Sequence, residues 1–436
     1  MTHSSAIMQS NLTSSRPTPA TAPLLQQDDR HRTIRPLASY SLQGLAVLDG
    51  SLMALDAIRG YLLQVDPATD NTIVFNSQRT EEFVDAIGLA IWNDTLWFAR
   101  EESVYFCKLS DLVPQLFVTL PYPVDGVGVW ESTVYVASQK QGYISIFERE
   151  QKRLITRLPM PGVGIENLTV RGEELWVCDR TEQTVYCLDR ATGEQRLCVL
   201  TPFENPTGLA FYPQADGTDR LYISYAGEEA YIRDNPNNLE NPDELSYRDR
   251  TFIHPLYIHH NPEERYALSN GFLIEMSYVE ELQPLEDVDV QHLEWRIALP
   301  TETARQKVLH VESIGRSFTE ELQDGQRVAV FTFDRLTSQE RHVFGWKALI
   351  EVRSIKYLLT SDDVDSSSVL SQEFGTRYLV DDDELSMDTP VIQAAAQEAI
   401  GTETNLLRKM LKIRNYVYDR LSYSLTPHIE APDVVL

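Results

Sequence analysis

Five segments of this chain share one layout, and that self-similarity restricts the possible folds more than any other feature. They are LQGLAVLDGSLMALDAIRGYLLQVD from Leu42, AIGLAIWNDTLWFAREESVYFCKL from Ala86 and VDGVGVWESTVYVASQKQGYISIFE from Val124, then IENLTVRGEELWVCDRTEQTVYCLD from Ile165 and PTGLAFYPQADGTDRLYISYAGEEAYI from Pro206. Each opens an apolar run near Gly44, Gly88, Gly126, Asn167 or Gly208, at spacings of 44, 38, 41 and 41 residues. A period of about 41 suits one four-stranded blade of a β-propeller.

Within each repeat a polar turn (Asp49-Gly50, Asn93-Asp94, Glu131-Ser132, Gly172-Glu173, Asp216-Gly217) separates a first strand from an alternating second one, such as that from Thr95 or Thr133. Alternation rich in β-branched and aromatic residues is the strand signature, and the turns stand where hairpins need them. Fourth strands recur from Thr72, Gln115, Arg153 and Arg196, and the fifth repeat has no obvious one. The segment from His31 to Leu37 occupies the matching offset ahead of Gly44. It is therefore expected to close the ring as the outer strand of the last blade, beside the segment around Ala230, which removes exposed sheet edges. Five blades follow, or six if Phe252 to Ile258 belongs to a degenerate blade.

This layout resembles the NHL-repeat and gluconolactonase propellers, whose blades open on a motif like DGLAV and continue with a strand like LYVAD. The resemblance covers residues 31 to 232 and implies a central channel, which in lactonase members holds a divalent cation through Glu, Asn and Asp side chains just ahead of the inner strands. The matching positions here are Gln43, Ile87, Asp125, Glu166 and Thr207. Asp125 and Glu166 supply hard oxygen donors, whereas Ile87 and Thr207 depart from the pattern. The expected site is a polar channel mouth at Gln43, Asp125, Glu166 and Thr207, with no metal and no cofactor. Cys107, Cys178, Cys187 and Cys198 form no CxxC pair, lie in apolar strand-like runs and read as small buried hydrophobes.

Past Ile232 the run RDNPNNLENPDELSYRDR reads as a domain boundary or long exposed loop. Strand-like segments follow at Gly271–Tyr278, Leu293–Leu299, Lys307–Glu312, Arg327–Phe333 and Trp346–Tyr357, with an Asp324-Gly325 hairpin turn, and they predict a β-sandwich. His259 and His260 are adjacent on a strand, point to opposite faces and make a poor metal pair. Nine acidic residues against Arg377 alone give net −8 between Asp362 and Asp388, a solvated linker without the spacing of a calcium loop. Thr389-Pro390 starts a helix that Gly401 ends. A second runs from Glu403 to Leu421, with Leu406, Leu407, Met410, Ile413, Val417 and Leu421 on one face.

The run from His292 to Glu312 is similar to the β-rich segment that precedes bacterial transglutaminase-like domains. The text around Ile413, Tyr416, Val417, Leu421 and Tyr423 resembles the entry to their helical core. That resemblance implies a Cys nucleophile, a His base and an Asp orienter. Val434-Val435-Leu436 would directly precede the Cys-bearing helix, no cysteine follows Cys198, and His428 is misplaced for a base. No catalytic residue is therefore assigned.

The expected chain is mostly β: a disordered tail over 1–30, a five-bladed β-propeller over 31–250 (six-bladed in the alternative), a β-sandwich over 251–360, an acidic linker over 361–388 and a short C-terminal helical segment over 389–436. A formal charge of −27 disfavours nucleic acid and anionic lipid, since phosphate binding needs cations. The tail has neither the basic start nor the apolar run of a signal peptide, and no stretch approaches a membrane span, so a cytoplasmic protein is expected. Three functions compete. The first is the N-terminal part of a transglutaminase-like cysteine hydrolase or acyltransferase with the propeller binding substrate or partner. The second is a non-catalytic propeller scaffold for a protein or peptide, and the third is a metal-dependent lactonase-like propeller.

Overall fold

The computed structural model describes residues 32–234, 243–283, 289–323, 325–338, 340–364 and 388–420. The tail before Arg32 and the acidic run Asp381–Glu384 lie outside them, as do Asp324, Leu421, Tyr423, His428 and Val434–Leu436.

Residues 42–74, 87–119, 126–159 and 165–200 each form a four-stranded antiparallel sheet whose strands follow chain order. Their innermost strands are Leu42–Leu48, Ile87–Trp92, Gly126–Trp130 and Ile165–Arg171, and a fifth, Pro206–Pro213, opens the last blade. These five touch in succession, and the fifth returns to the first, so the ring has five blades. The repeated glycine makes that ring possible. A Cβ on Gly44 would stand 2.8 Å from the Leu89 amide nitrogen, one on Gly126 2.7 Å from the Asn167 Cα, and one on Gly208 2.9 Å from the Leu45 nitrogen. Backbones approach there with no room for a side chain. In the fourth blade Asn167 takes the glycine's place, and its amide spans to the Thr207 carbonyl at 3.4 Å.

Alternation along the strands puts one apolar row on each sheet face, and neighbouring blades share the rows they bury. Met53 and Leu55 of the first blade meet Leu96 and Phe98 of the second. Trp97 and Ala99 meet Val134 and Val136 in the next gap, and Cys178 and Cys187 lie among Ile223, Tyr225 and Phe252.

The last blade departs from expectation in two ways. Its third strand is Asp243–Leu256, paired with Asp219–Asp234 from Leu221↔Leu256 out to Asp234↔Asp243. The stretch read as a boundary or loop is thus mostly a long hairpin, with only 235–242 outside the described residues. The limit placed at 250/251 falls inside a strand, and the six-bladed alternative fails because Phe252–Leu256 belongs to blade five. Cross-strand pairing outweighs composition here: Arg248 reaches Glu229 at 2.8 Å and lies over the Tyr231 ring, 5.4 Å from its centroid. Second, the N-terminal segment pairs with this third strand and not with the region around Ala230. Ile34 and Ile253 exchange both backbone hydrogen bonds at 2.8 Å. Thr33 meets His254 at 2.9 Å, while Arg32 pairs with Asp70 of the first blade at 2.8 Å.

Two further sheets follow. One has the order His259–Asn261, Tyr266–Leu282, His342–Tyr357, Gln306–Ile314, and the other Asp289–Ala298, Gln326–Thr337, Thr319–Gln323. Phe331, Phe333 and Ile297 from the second pack on Phe344, Trp346 and Ile350 from the first, which makes a sandwich. Of the strand-like segments expected from Gly271 onward, four lie within one of these strands, and Leu293–Leu299 runs one residue past the end of its strand at Ala298.

Among the described residues, 262–265, 357–364 and 388–420 belong to a separate compact unit. In it Asn405 donates to the carbonyls of Ser361 (2.7 Å) and Val364 (2.8 Å), which ties helix α2, Leu406–Arg420, to the preceding turn. Helix α1, Pro390–Ile400, has Pro390 in its first turn and ends at Gly401 with φ +57°. Arg420 reaches back to Glu398 at 2.7 Å. Leu406, Met410, Ile413 and Val417, the expected stripe, are exposed.

Candidate functional site

The ring of close backbone contacts fixes the level of the five positions just ahead of it, those expected at the channel mouth. In four blades the strand pairing slips there, between Leu42 and Leu45, Ile87 and Ala90, Ile165 and Asn167, and Pro206 and Gly208. Such bulges re-aim a side chain out of the regular pleat.

The five candidates differ in what they present. Thr207 is buried; its hydroxyl donates to the Leu42 carbonyl at 2.5 Å and lies 3.2 Å from that of Ser224, so it joins neighbouring blades. Ile87 packs on the apolar cluster between blades two and three. Gln43 donates to the Ser41 hydroxyl at 2.8 Å. Asp125 and Glu166 carry the charge. The Asp125 carboxylate accepts the Gln139 amide at 2.5 Å, and the Gln139 side chain accepts the Ile165 amide at 3.0 Å, which links two adjacent blades. Glu166 faces Arg180 at 3.8 Å, and Arg180 donates to Asn205 at 2.9 Å.

Asp179 and Arg180 were not anticipated at this mouth. Asp179 is fully buried and accepts the amides of Val163 (2.9 Å), Gly164 (3.0 Å) and Glu182 (2.8 Å). Asp56 does the same in blade one for Tyr40 (2.8 Å) and Ser41 (3.3 Å), and Ser138 in blade three donates to the Pro123 carbonyl at 2.7 Å. The signal was in the repeat: all three end the second strand, at the last position of the LYVAD-like pattern.

Burial raises the Asp125 carboxyl above its ordinary range, against the lowering effect of the Gln139 amide. Burial likewise pushes Glu166 up to about 7; Arg180 opposes this, and the charges of Asp125 and Asp179 add to it. The charges of Asp125 and Asp179 thus act on Glu166 against that of Arg180, and burial above all keeps the Glu166 carboxyl protonated up to about neutrality. A folded value near 7 against an ordinary 4.5 means that the native state binds the extra proton between those limits. The contribution of Glu166 to stability is present below pH 4.5 and lost as pH rises through 7. Glu166→Gln should therefore stabilise the chain at pH 8, by about 1 to 2 kcal/mol, since partial solvent access trims the full value of such a shift. Melting curves of both proteins should converge by pH 4.5; an unchanged difference across that range would refute this account.

Among the described residues no three His, Cys, Asp or Glu side chains gather to hold a metal ion. The four cysteines are all buried, and burial pushes the thiols of Cys107 and Cys187 up to about 12, so neither offers a thiolate at neutral pH. No described helix is long and apolar enough to cross a membrane.

Comparison with protein families and with curated proteins gives no match. Among solved structures, glutaminyl cyclase of Myxococcus xanthus is similar at 14% identity and a TM-score of 0.35, over 51% of this chain and 95% of its own. The nidogen/laminin complex is similar at 13% and 0.32, over 39% and 67%. Hydrazine synthase of Kuenenia stuttgartiensis is similar at 13% and 0.27, over 51% and 59%. Likenesses this low assign no chemistry to this chain.

Proposed function

We propose that the chain is a partner-binding module whose propeller mouth receives a cationic side chain, Lys or Arg, of a protein or peptide. The observation that supports this is the charge imbalance at Asp125, Glu166 and Asp179, with Arg180, among the described residues, alone at ion-pair distance from Glu166. An entering ammonium or guanidinium pairs with Asp125 and Glu166, lowers the Glu166 pKa and expels its proton. The charge of −27 steers basic partners towards the molecule from a distance. Screening the protein against immobilised random heptapeptides tests the reading. Bound sequences should be enriched in Lys or Arg, and norleucine in place of the Lys should abolish binding. The Asp125→Asn/Glu166→Gln protein should lose the enrichment, and binding at pH 7 should release a proton. Equal capture of Lys and norleucine peptides would overturn the reading.

A second reading keeps the transglutaminase-like resemblance, with the same propeller as partner-binding module of a larger cysteine hydrolase or acyltransferase. It is supported by the order of sandwich and then two helices, and by the uncovered apolar stripe of Leu406, Met410, Ile413 and Val417. The encoded sequence downstream of Leu436 tests it: a Cys at the start of a helix supports it, and a continuation without one removes it.

A further inference from the structure

The sandwich carries an unusual strand. Tyr266–Leu282 has its first five residues buried and then nine consecutive exposed ones, Gly271 to Val279, on both faces. Those nine include Phe272, Leu273, Ile274, Met276, Tyr278 and Val279, each exposed by more than a third. One side of the strand is hydrogen-bonded to His342–Tyr357. On the other side His259–Asn261 pairs only with Tyr266 to Leu268, and among the described residues no other strand is hydrogen-bonded along that edge. From Ser269 to Leu282 the sequence is SNGFLIEMSYVEEL, without the Lys, Arg or Pro that commonly block edge pairing. An open apolar edge of this length pairs with another strand unless something prevents it.

The strand's own sequence identifies the occupant. In an antiparallel pair related by a two-fold axis normal to the sheet, the hydrogen-bonding pattern repeats only if one residue faces its own copy. Centring on Glu275 opposes two carboxylates. Centring on Met276 places Ile274 opposite Tyr278, Leu273 opposite Val279 and Glu275 opposite Ser277, with Glu280 against Phe272 and Glu281 against Gly271. Aromatic and β-branched side chains then meet across the seam, which stabilises antiparallel pairs, and no carboxylate faces another. Lys347 already neutralises Glu275 at 2.8 Å, and Tyr278 donates to Glu280 at 2.7 Å, so the acidic groups flanking the seam are partnered within their own chain.

We infer that two copies of this chain associate through the open edge of Tyr266–Leu282, antiparallel about Met276, joining their four-stranded sheets into one continuous sheet. The surface is separate from the propeller mouth, so the inference stands or falls independently of the peptide-binding reading.

Light scattering across the micromolar range tests association, and engineered cysteines test the register. The full chain should be dimeric, and Ile274→Lys, at an exposed position, should be monomeric. Met276→Cys should form a disulfide-linked dimer on mild oxidation, because each residue faces its mate. Glu280→Cys should not, since eight residues of offset separate the pair by about 26 Å. The four native cysteines are buried and do not compete. A wild-type chain that stays monomeric at tens of micromolar overturns the inference and leaves the edge to a different partner. A dimer that Ile274→Lys does not weaken also overturns it, as does cross-linking at position 280 equal to that at 276.

Discussion

Gly126→Val should cost about 3 kcal/mol or abolish folding. Its Cβ would stand 2.7 Å from the Asn167 Cα and 3.1 Å from the Asn167 side-chain oxygen, which itself holds the Leu168 amide at 2.8 Å. Neither neighbour is the loose end of a flexible side chain. Relief requires the third and fourth blades to separate, and in a closed ring every other gap resists that movement. Overpacking of rigid backbone lies at the upper end of the usual range for small-to-large changes. Gly142→Val provides the control for conformation without crowding: Gly142 has φ +76° but nothing within 4 Å of its Cβ. Equal melting losses at the two positions, measured by denaturant titration, would show that ring contact is not what the repeated glycine serves.

Removing residues 1–40, or substituting Ile34→Asp alone, should be comparably damaging. Ile34 is 1% exposed and packs among Leu42, Leu52, Tyr222 and Ile253 between the first and last blades. Deletion exposes that cluster and leaves the inward part of Asp243–Leu256 with an unpaired edge, so aggregation should accompany the loss of stability. The aspartate should cost about 3 to 5 kcal/mol, because it combines a lost buried side chain with a buried unpaired charge. A truncated chain that remains monomeric and melts with the full one would show that the segment does not close the ring.

The repeat was legible because a four-stranded blade imposes its pleat and turns at a fixed period. The outer strands expected from Thr72, Gln115 and Arg153 begin at those residues, and that expected from Arg196 begins one residue earlier, at Gln195. The hairpin of the last blade was not legible, since the polar and acidic composition from Asp243 to Arg250 is that of a loop, and only pairing with Gly227 to Asp234 makes it extended. For the same reason the closing segment was matched to the wrong neighbour: with Asp243–Leu256 unread, the region around Ala230 stood in for a third strand. Position along the repeat singled out Gln43, Asp125, Glu166 and Thr207 alike and did not say which side chains turn into the wall. Thr207 does so because Leu42 and Ser224 of neighbouring strands offer carbonyls, and such cross-blade partners have no sequence signature.

The segment that closes the last blade through the Ile34–Ile253 bridge is made at the opposite end of the propeller sequence from the strand it joins. During synthesis Ile34 leaves the ribosome roughly two hundred residues before Ile253 does, an interval of ~10 to 40 s at ordinary elongation rates. Four blades can therefore assemble in sequence while their first segment waits without a partner. The final contact carries the loop-closure cost of the whole ring, which makes late ring closure the slow step expected of such a topology. Until then the nascent chain displays the Ile34 cluster, and that interval is when it most needs protection from other chains.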